Sequence, residues 1–506
     1  MTRHEPLAVP FRFTASQPAS SGAGWSLALL LICTAAVVLL NPIGFRGGGG
    51  DDFQYLEFAR CWVANGPCLP IDHWDTRLPL ILPMAASLKL FGESRWALSL
   101  APLVYALAAL ILFHAVVKRL FGAVVALVGG LLLLTAPVFA ATILQPNGDV
   151  PELAFQLAAV LLALRACADG RQASFVATGI AAAIAVAMRE TSLAFVGVLV
   201  LAMAYYCPRG PALRWFLSGL AVPLAVECLG YALATGDPFY RFRLALDHNL
   251  IRSSELRRTV DIHADPLFNP AFIAGWKPAA GIDWHWTINP IVNLLGGLQA
   301  GPVYLAAIVL AIFAGRELRQ RLAPWAAGAL LVFLALTYGL AVDPKARMFL
   351  LPLAAAAMAA AACFYAAPRR WRWFAALPVA AAIASGLWVT ARTPNMASAE
   401  RAAPALLARA PGPVAIDGWT RATLTLVPQI AHAPRVPTTA PYRLALTLGD
   451  CRLGRVKARD VPGRQLVAEW RSDPDALVRP YRWLRHDRVL AETNVAIALC
   501  LFERNR

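Results

Sequence analysis

Apolar stretches of about 20 residues recur from residue 25 to residue 391, each long enough to cross ~30 Å of hydrocarbon as a helix. No other feature constrains the fold as strongly, because lipid offers the backbone no hydrogen bonds and only helices or closed barrels can span it. Charged residues make up 15% of the 506, against roughly 25% in a soluble protein. The expected fold is an all-α polytopic membrane protein. Spans are expected near 25–41, 96–117, 121–142, 151–167, 174–188, 190–206, 213–235, 291–314, 323–342, 348–366 and 373–391, about eleven in all.

A formal charge of +16 raises the question of nucleic acid as a partner, but its placement argues against one. The basic residues punctuate the apolar runs at alternate junctions. They are Arg3 and Arg12, Lys118 and Arg119, Arg165 and Arg171, Arg209 and Arg214, then the groups Arg316/Arg319/Arg321 and Arg369/Arg370/Arg372. By the positive-inside rule such junctions face the cytoplasm, and an odd number of spans leaves the C-terminus outside. The chain is expected to divide into a cytoplasmic tail (1–24), a transmembrane catalytic domain (25–391) with external loops 42–95 and 236–290, and an external C-terminal domain (392–506). The first apolar run lacks a small-residue cleavage pattern and exceeds the core of a usual signal peptide. The expected location is a bacterial inner (plasma) membrane, with the site and the C-terminal domain in the periplasm.

In the last region PVAIDGW, TLTLVP and NVAIALCLF read as strands between loops rich in Pro, Gly and Arg, giving a small α/β or mostly β domain. Its VRPYRWLRHDR stretch mixes arginine with aromatics, as suits a basic surface beside anionic headgroups. Of nine cysteines, Cys33, Cys228 and Cys363 fall within spans and read as small buried hydrophobes. Cys61 and Cys68 share the first external loop, and Cys451 and Cys500 share the C-terminal domain. On an oxidising side each pair is a candidate disulfide.

Residues 47–58 read GGGGDDFQYLEF, with Asp51 and Asp52 side by side ahead of an amphipathic helix. One carboxylate at a helix N-terminus serves as a cap. A second suggests chemistry, since adjacent like charges raise each other's proton affinity and favour a poised base. Tyr55 follows on the same helix. Arg77 immediately precedes an apolar helix that dips back toward the membrane, a position from which a cation reaches a lipid phosphate. The next external junction, QPNGDVPEL, puts Asp149 ahead of Pro151, either as a cap or as a third acid at that face. Cations converge there from elsewhere: Arg189 with Glu190 in MRETS, and Lys345, one of five lysines, with Arg347 in VDPKARMFLLP. Each cation alone also suits snorkelling to the interface. Together these groups describe a pocket that holds a phosphate and activates a hydroxyl.

The pattern resembles a known family. DDFQY, a small residue at Ala59, Gly66, TRLPL and LFG are similar, in that order, to the first external loop of the GT-C glycosyltransferases. The nearer likeness is to the branch of protein O-mannosyltransferases and lipid A aminoarabinose transferases. Asp149 before Pro151, TGDPFYRF at 235–242 and KARMFLLP at 345–352 resemble later landmarks, with Met348 where the family has tyrosine. The likeness covers residues 25–366. It implies transfer of a sugar from a polyprenyl-phosphate donor to a lipid, glycan or protein hydroxyl on the external face, with anomeric inversion. By the same resemblance Asp51 falls on the catalytic aspartate, Arg77 on a basic residue near the donor phosphate, and Arg347 on the arginine of the late motif.

The expected site therefore comprises Asp51, Asp52 and Asp149 for catalysis, with Tyr55, Arg77, Arg189, Glu190, Lys345 and Arg347 for the phosphate-linked substrate. No cofactor is expected to be required. Some members of the family bind divalent cations. The weak candidate ligands here are His73, between Asp72 and Asp75, and His248, beside Asp247, without a diagnostic spacing. Membrane lipids are expected neighbours. A lipid or glycolipid transporter or flippase is the alternative from another class, and its chemistry would lie at the bilayer midplane. A transferase using an oligosaccharide-diphosphate lipid is the alternative among enzymes.

Overall fold

The computed structural model describes residues 23–46, 51–207, 210–246, 289–339, 346–393, 395–434, 436–437, 439–448, 451, 464–472 and 497–504. The tail to residue 22, Lys345, Asp247, His248, most of the second external region and the VRPYRWLRHDR stretch lie outside the described residues.

The first half folds into α1 (Ala23–Leu40), α2 (Asp51–Asn65), α3 (Leu78–Phe91), α4 (Arg95–Phe121), α5 (Ala123–Thr135), α6 (Pro137–Ala140), α7 (Asp149–Asp169), α8 (Gln172–Met188), α9 (Ser192–Tyr206), α10 (Gly210–Thr235) and α11 (Tyr240–Leu246). Further helices cover Asn289–Gly296, Gly301–Leu310, Arg316–Leu334, Leu350–Ala366 and Arg372–Arg392. The apolar runs are thus helical, as expected of a polytopic chain, but they differ in length. Among the described residues six helices are long and apolar enough to cross a membrane: α4, α7, α10 and those beginning at Arg316, Ala346 and Arg369. A seventh, Pro290–Gly296 with Gly301–Phe313, is broken by an 89° bend where a straight span over 291–314 is expected. α3, α5, α8 and α9, and the Gly24–Leu40 stretch of α1, are apolar but have 10–17 residues. The expected span at 121–142 stops at Thr135, because Ala136 turns extended ahead of Pro137, whose ring cannot continue the α5 hydrogen bonds.

One apolar core joins α1, α4, α5 and α7 to the helix Leu350–Ala366, and a second joins α7, α8 and α9 to the helix Arg316–Leu334. α8 lies against both α7 and α10. Its approach to α10 depends on Gly179 and Gly219, where a Cβ on either would collide with the other helix's carbonyl at Phe216 or Val176. α2 has the amphipathic character read in the sequence but is no free interfacial helix. Phe53, Tyr55, Leu56 and Phe58 are buried with Trp74 and with Leu80, Ile81 and Met84 of α3. Arg60 on its outer side pairs with Glu57 and Glu93 and donates to Thr425 Oγ1 at 3.1 Å, joining the loop to the C-terminal region.

That region has a four-stranded sheet in the order β1-β2-β4-β3: β1 (Val414–Ile416), β2 (Tyr442–Leu448), β3 (Arg464–Arg471) and β4 (Ile497–Arg504). β1 runs parallel to β2, and the other pairs are antiparallel. The helix Met396–Leu407 buries Ala399, Ala403 and Leu406 against Leu444, Leu499 and Leu501 of the sheet. PVAIDGW and NVAIALCLF contain β1 and β4, but TLTLVP is a turn: Leu424 and Val427 point into the core and Pro428 starts a short helix. Cys61–Cys68 and Cys451–Cys500 are disulfides. A third pair, Cys167–Cys207, links the ends of α7 and α9 at a junction whose arginines predict the cytoplasmic side. In a reducing compartment such a pair stands as two thiols.

Candidate active site

The two aspartates that open α2 part at once. Asp52 is fully buried and accepts a hydrogen bond from the backbone N–H of Arg46, tying the incoming chain to the helix. Asp51 keeps 22% of its side chain exposed and lies 3.0 Å from Arg347 Nη2. Arg347 sits in the 3-10 turn Ala346–Phe349, just before the helix that begins at Leu350. Its Nε also lies 3.7 Å from Asp149 Oδ2.

Asp149 is the first residue of α7 and is buried, yet it is not the cap of that helix. Asn147 takes that part, its Oδ1 accepting from the backbone N–H groups of Asp149 and Val150 at 3.0 and 3.4 Å. Both Asp149 oxygens are thereby left to guanidinium groups, one to Arg347 and the other to Arg189. Arg189 ends α8 in extended backbone, where a cation complements the negative end of the helix dipole. Beyond it lies Glu152, one turn into α7, 3.9 Å from Arg189 Nε. Glu152 accepts from Ser192 Oγ at 2.6 Å, Gln156 Nε2 at 3.1 Å and Thr191 Oγ1 at 3.2 Å. The result is a row of alternating sign, Asp51–Arg347–Asp149–Arg189–Glu152, running inward from the rim. Glu152 does not figure in the expectations from sequence, although an acid inside an apolar span is itself a signal of a polar partner or a site.

Arg77 stands beside the row at the N-terminus of α3, buried, and donates to the Tyr55 hydroxyl. Its guanidinium carbon lies 5.5 Å from the Tyr55 ring centre. Nε of Arg77 has no partner, and Asp51, Glu190 and Asp149 act on it only through longer-range attraction. A second buried donor without a partner, Asn147 Nδ2, belongs to the loop opposite. Between them is Gly148, where a Cβ would come within 3.3 Å of Arg77 Cδ and Nη1 and 3.5 Å of Arg189 Cγ. Glycine there lets both arginines share the space above α7. Burial raises the Tyr55 phenol, and the neighbouring Arg77 charge offsets this only in part, so Tyr55 remains protonated at neutral pH.

Glu190, expected at the substrate, pairs with Arg241 Nε at 2.9 Å. His73 is buried against Trp74 and gathers no metal set: among the described residues no three His, Cys, Asp or Glu side chains are placed to hold an ion. Asp75, beside it, accepts from the backbone N–H groups of Ile71 and Asp72 at 3.1 Å each and so shapes the loop. Burial, with Asp72 and Glu57 nearby, pushes its carboxyl up to about 7 against the pull of those two N–H donors. Below the charged row a cavity of about 850 Å³ runs between α7, α9 and the helices Arg316–Leu334 and Leu350–Ala366. Phe195, Val332 and Leu351 wall both this cavity and the small pocket that holds Asp149, Glu152 and Arg347. Its lining is mostly apolar, with Arg119, Glu317 and Arg321 also contributing.

Among solved structures, the chain is similar to ArnT from Cupriavidus metallidurans in the apo state, with 15% identity over 95% of this chain and 98% of that one, at a TM-score of 0.47. The undecaprenyl phosphate-bound form of ArnT gives 14% over the same shares and 0.49. The apo Archaeoglobus fulgidus oligosaccharyltransferase gives 14%, over 94% of this chain and 70% of that one, at 0.45. No curated protein sequence is similar at a significant level. Residues 81–229, which run from α3 to α10 and include Asp149, Glu152 and Arg189, match the family described as dolichyl-phosphate-mannose-protein mannosyltransferase. Over that segment the chain is similar to a family of lipid-phosphate-sugar transferases, in agreement with the GT-C resemblance of its first loop.

Proposed function

We propose that this protein is an inverting membrane glycosyltransferase that takes a sugar from a polyprenyl phosphate and transfers it to a hydroxyl of a lipid, glycan or protein on the periplasmic face. The observation that carries the reading is the pairing of two arrangements at one place. A partly exposed carboxylate, Asp51, ends the alternating row at the rim, and a buried arginine with an unpartnered Nε, Arg77, stands beside it. An unpaired buried cation is costly, and a phosphate between Arg77, Arg189 and Arg347 offsets that cost. The apolar cavity beneath suits an isoprenoid tail. The family matched over residues 81–229 is itself described by a lipid-phosphate sugar, dolichyl-phosphate-mannose.

In the mechanism, Asp51 takes the proton of the acceptor hydroxyl as its oxygen bonds to the anomeric carbon. The bond from that carbon to the phosphate oxygen breaks, and its electron pair stays on the phosphate, where the guanidinium groups meet the growing charge. Attack opposite the leaving phosphate inverts the anomeric centre. Arrival of the phosphate gives Arg347 a third anion besides Asp51 and Asp149, which loosens its hold on Asp51 and leaves that carboxylate able to accept a proton.

The test is the protein reconstituted in liposomes with a labelled polyprenyl-phosphate sugar and an acceptor extract. Label should appear in a glycosidic product, with free polyprenyl phosphate formed in equal amount. Lipid crossing the bilayer without product would make the protein a transporter. Product from oligosaccharide-diphosphate lipid alone would move it to the other class of transferase.

A further inference from the structure

Arg241 of α11 takes no part in the charged row, yet it is 2% exposed and every N–H of its guanidinium is engaged. Nε donates to Glu190 Oε1 at 2.9 Å. Nη1 donates to Glu227 Oε1 at 2.8 Å and to the Thr76 carbonyl at 3.2 Å. Nη2 donates to the carbonyls of Val186 and Ala187 at 3.0 and 2.9 Å. A guanidinium has five N–H donors in a rigid fork, so none remains for a substrate. The two carboxylates balance its charge, and the two α8 carbonyls are among those a helix C-terminus leaves unpaired. The residue before it adds a further tie: the Tyr240 hydroxyl donates to the Pro70 carbonyl at 2.8 Å.

Apart from Glu227 of α10, everything Arg241 grips lies within three residues of Arg77 or Arg189. Thr76 precedes Arg77, and the Thr76 carbonyl shares a rigid peptide plane with the Arg77 N–H, so holding one orients the other. Glu190 follows Arg189, and Ala187 comes two residues before it. α11 thus holds the segment just before α3, the end of α8 and Glu227 of α10 in one fork. We propose that Arg241 is a positioning residue that sets the spacing of Arg77 and Arg189, and so the geometry of the clamp for the donor phosphate. The inference rests on the lipid-phosphate donor proposed above.

Arg241→Ala would strand two half-buried carboxylates and leave a cavity where the buried guanidinium stood, at a large cost in stability. Arg241→Lys keeps the charge but loses the fork, and Tyr240→Phe removes only the Pro70 tie. With labelled polyprenyl-phosphate sugar, R241K should raise the donor KM about tenfold while kcat and acceptor KM stay within about threefold. Y240F should shift donor KM the same way, by less. In an Arg77→Lys background, R241K should add little, because residues acting through one another are not additive. A merely structural role would lower the amount of folded protein, leave donor KM untouched and add fully to R77K. An unchanged donor KM in folded R241K, or full additivity with R77K, overturns the proposal. A wild-type protein that makes no product from this donor overturns the functional reading and the proposal together.

Discussion

Replacing Asp51 by Asn separates catalysis from architecture. The pair with Arg347 is partly exposed, 22% for Asp51 and 29% for Arg347, so its loss costs about 0–1 kcal/mol of stability. Asn keeps an oxygen to accept from Arg347, and Arg347 keeps Asp149 at 3.7 Å. What Asn cannot do is take the acceptor proton. A positioned base contributes roughly 10²–10⁴ in rate, or about 2.7–5.4 kcal/mol of barrier. Turnover should therefore fall at least a hundredfold while the melting midpoint moves by no more than a few degrees. Asp52→Asn should do the reverse, because Asp52 is fully buried on the Arg46 N–H and disturbing that contact costs roughly 1–3 kcal/mol. Yield should drop with near-normal turnover per folded molecule. Both quantities come from one preparation, labelled-product formation normalised to protein surviving a heat step. Near-normal transfer by well-folded D51N would refute the reasoning and pass the part of base to Asp149.

Gly148→Ala puts a Cβ 3.3 Å from Arg77 Cδ and Nη1, and the guanidinium must give way. Donor KM should rise severalfold at little cost in stability, and an unchanged value would show that Arg77 is not tuned by that loop. Asp75→Asn removes a carboxyl raised from 3.8 to about 7 by burial while keeping an acceptor oxygen for Ile71 and Asp72. A raised acid contributes stability that is full below pH ~4 and is lost as pH climbs through ~7, so D75N should match wild type at pH 4 and melt higher at pH 8. A melting difference independent of pH would rule this out. Cys451 and Cys500 stand 49 residues apart, and replacing both with serine should cost the C-terminal region about 4 kcal/mol, seen as earlier protease cleavage there. Equal protease resistance would mean that the sheet holds without the bridge. For orientation, a phosphatase fused after Arg506 should be active and one after Arg171 silent; the opposite pattern would place the site in the cytoplasm.

Hydropathy makes the places of the helices legible because lipid demands long apolar runs. It says less about where they stop: α5 ends on the dihedral limits of Ala136-Pro137, a local steric matter inside an apolar stretch. TLTLVP satisfies the alternation of a strand, but its leucine and valine bury as a turn on the helix Met396–Leu407 and the sheet. β2 and β3 are harder to see, since arginines at their ends break the apolar pattern. Asp51, Asp149, Arg189 and Arg347 stand out because each interrupts the chain where apolar runs meet, and the structure brings all four together. Glu152 and Glu227 are hidden inside spans, and Arg241 inside a motif that shows no partner. Their roles depend on contacts between residues 14 to 165 positions apart, which no local pattern reports. Lys345 and His248 stay as the sequence left them.

The guanidinium of Arg347 ties together the first residue of α2, the first residue of α7 and a turn near position 347. Seen as a sequence of events during synthesis, this sets a clock. Asp51 leaves the ribosome 296 residues ahead of Arg347 (347 minus 51), about 15–60 s at 5–20 residues per second. Through that interval the first loop, Asp149 and Arg189 are already made, but the cation that joins the rim to the inner pair is not. The row Asp51–Arg347–Asp149 is complete only once the turn before the helix Leu350–Ala366 has been made, so under the proposed function a nascent chain lacks the full set of arginines for the donor phosphate.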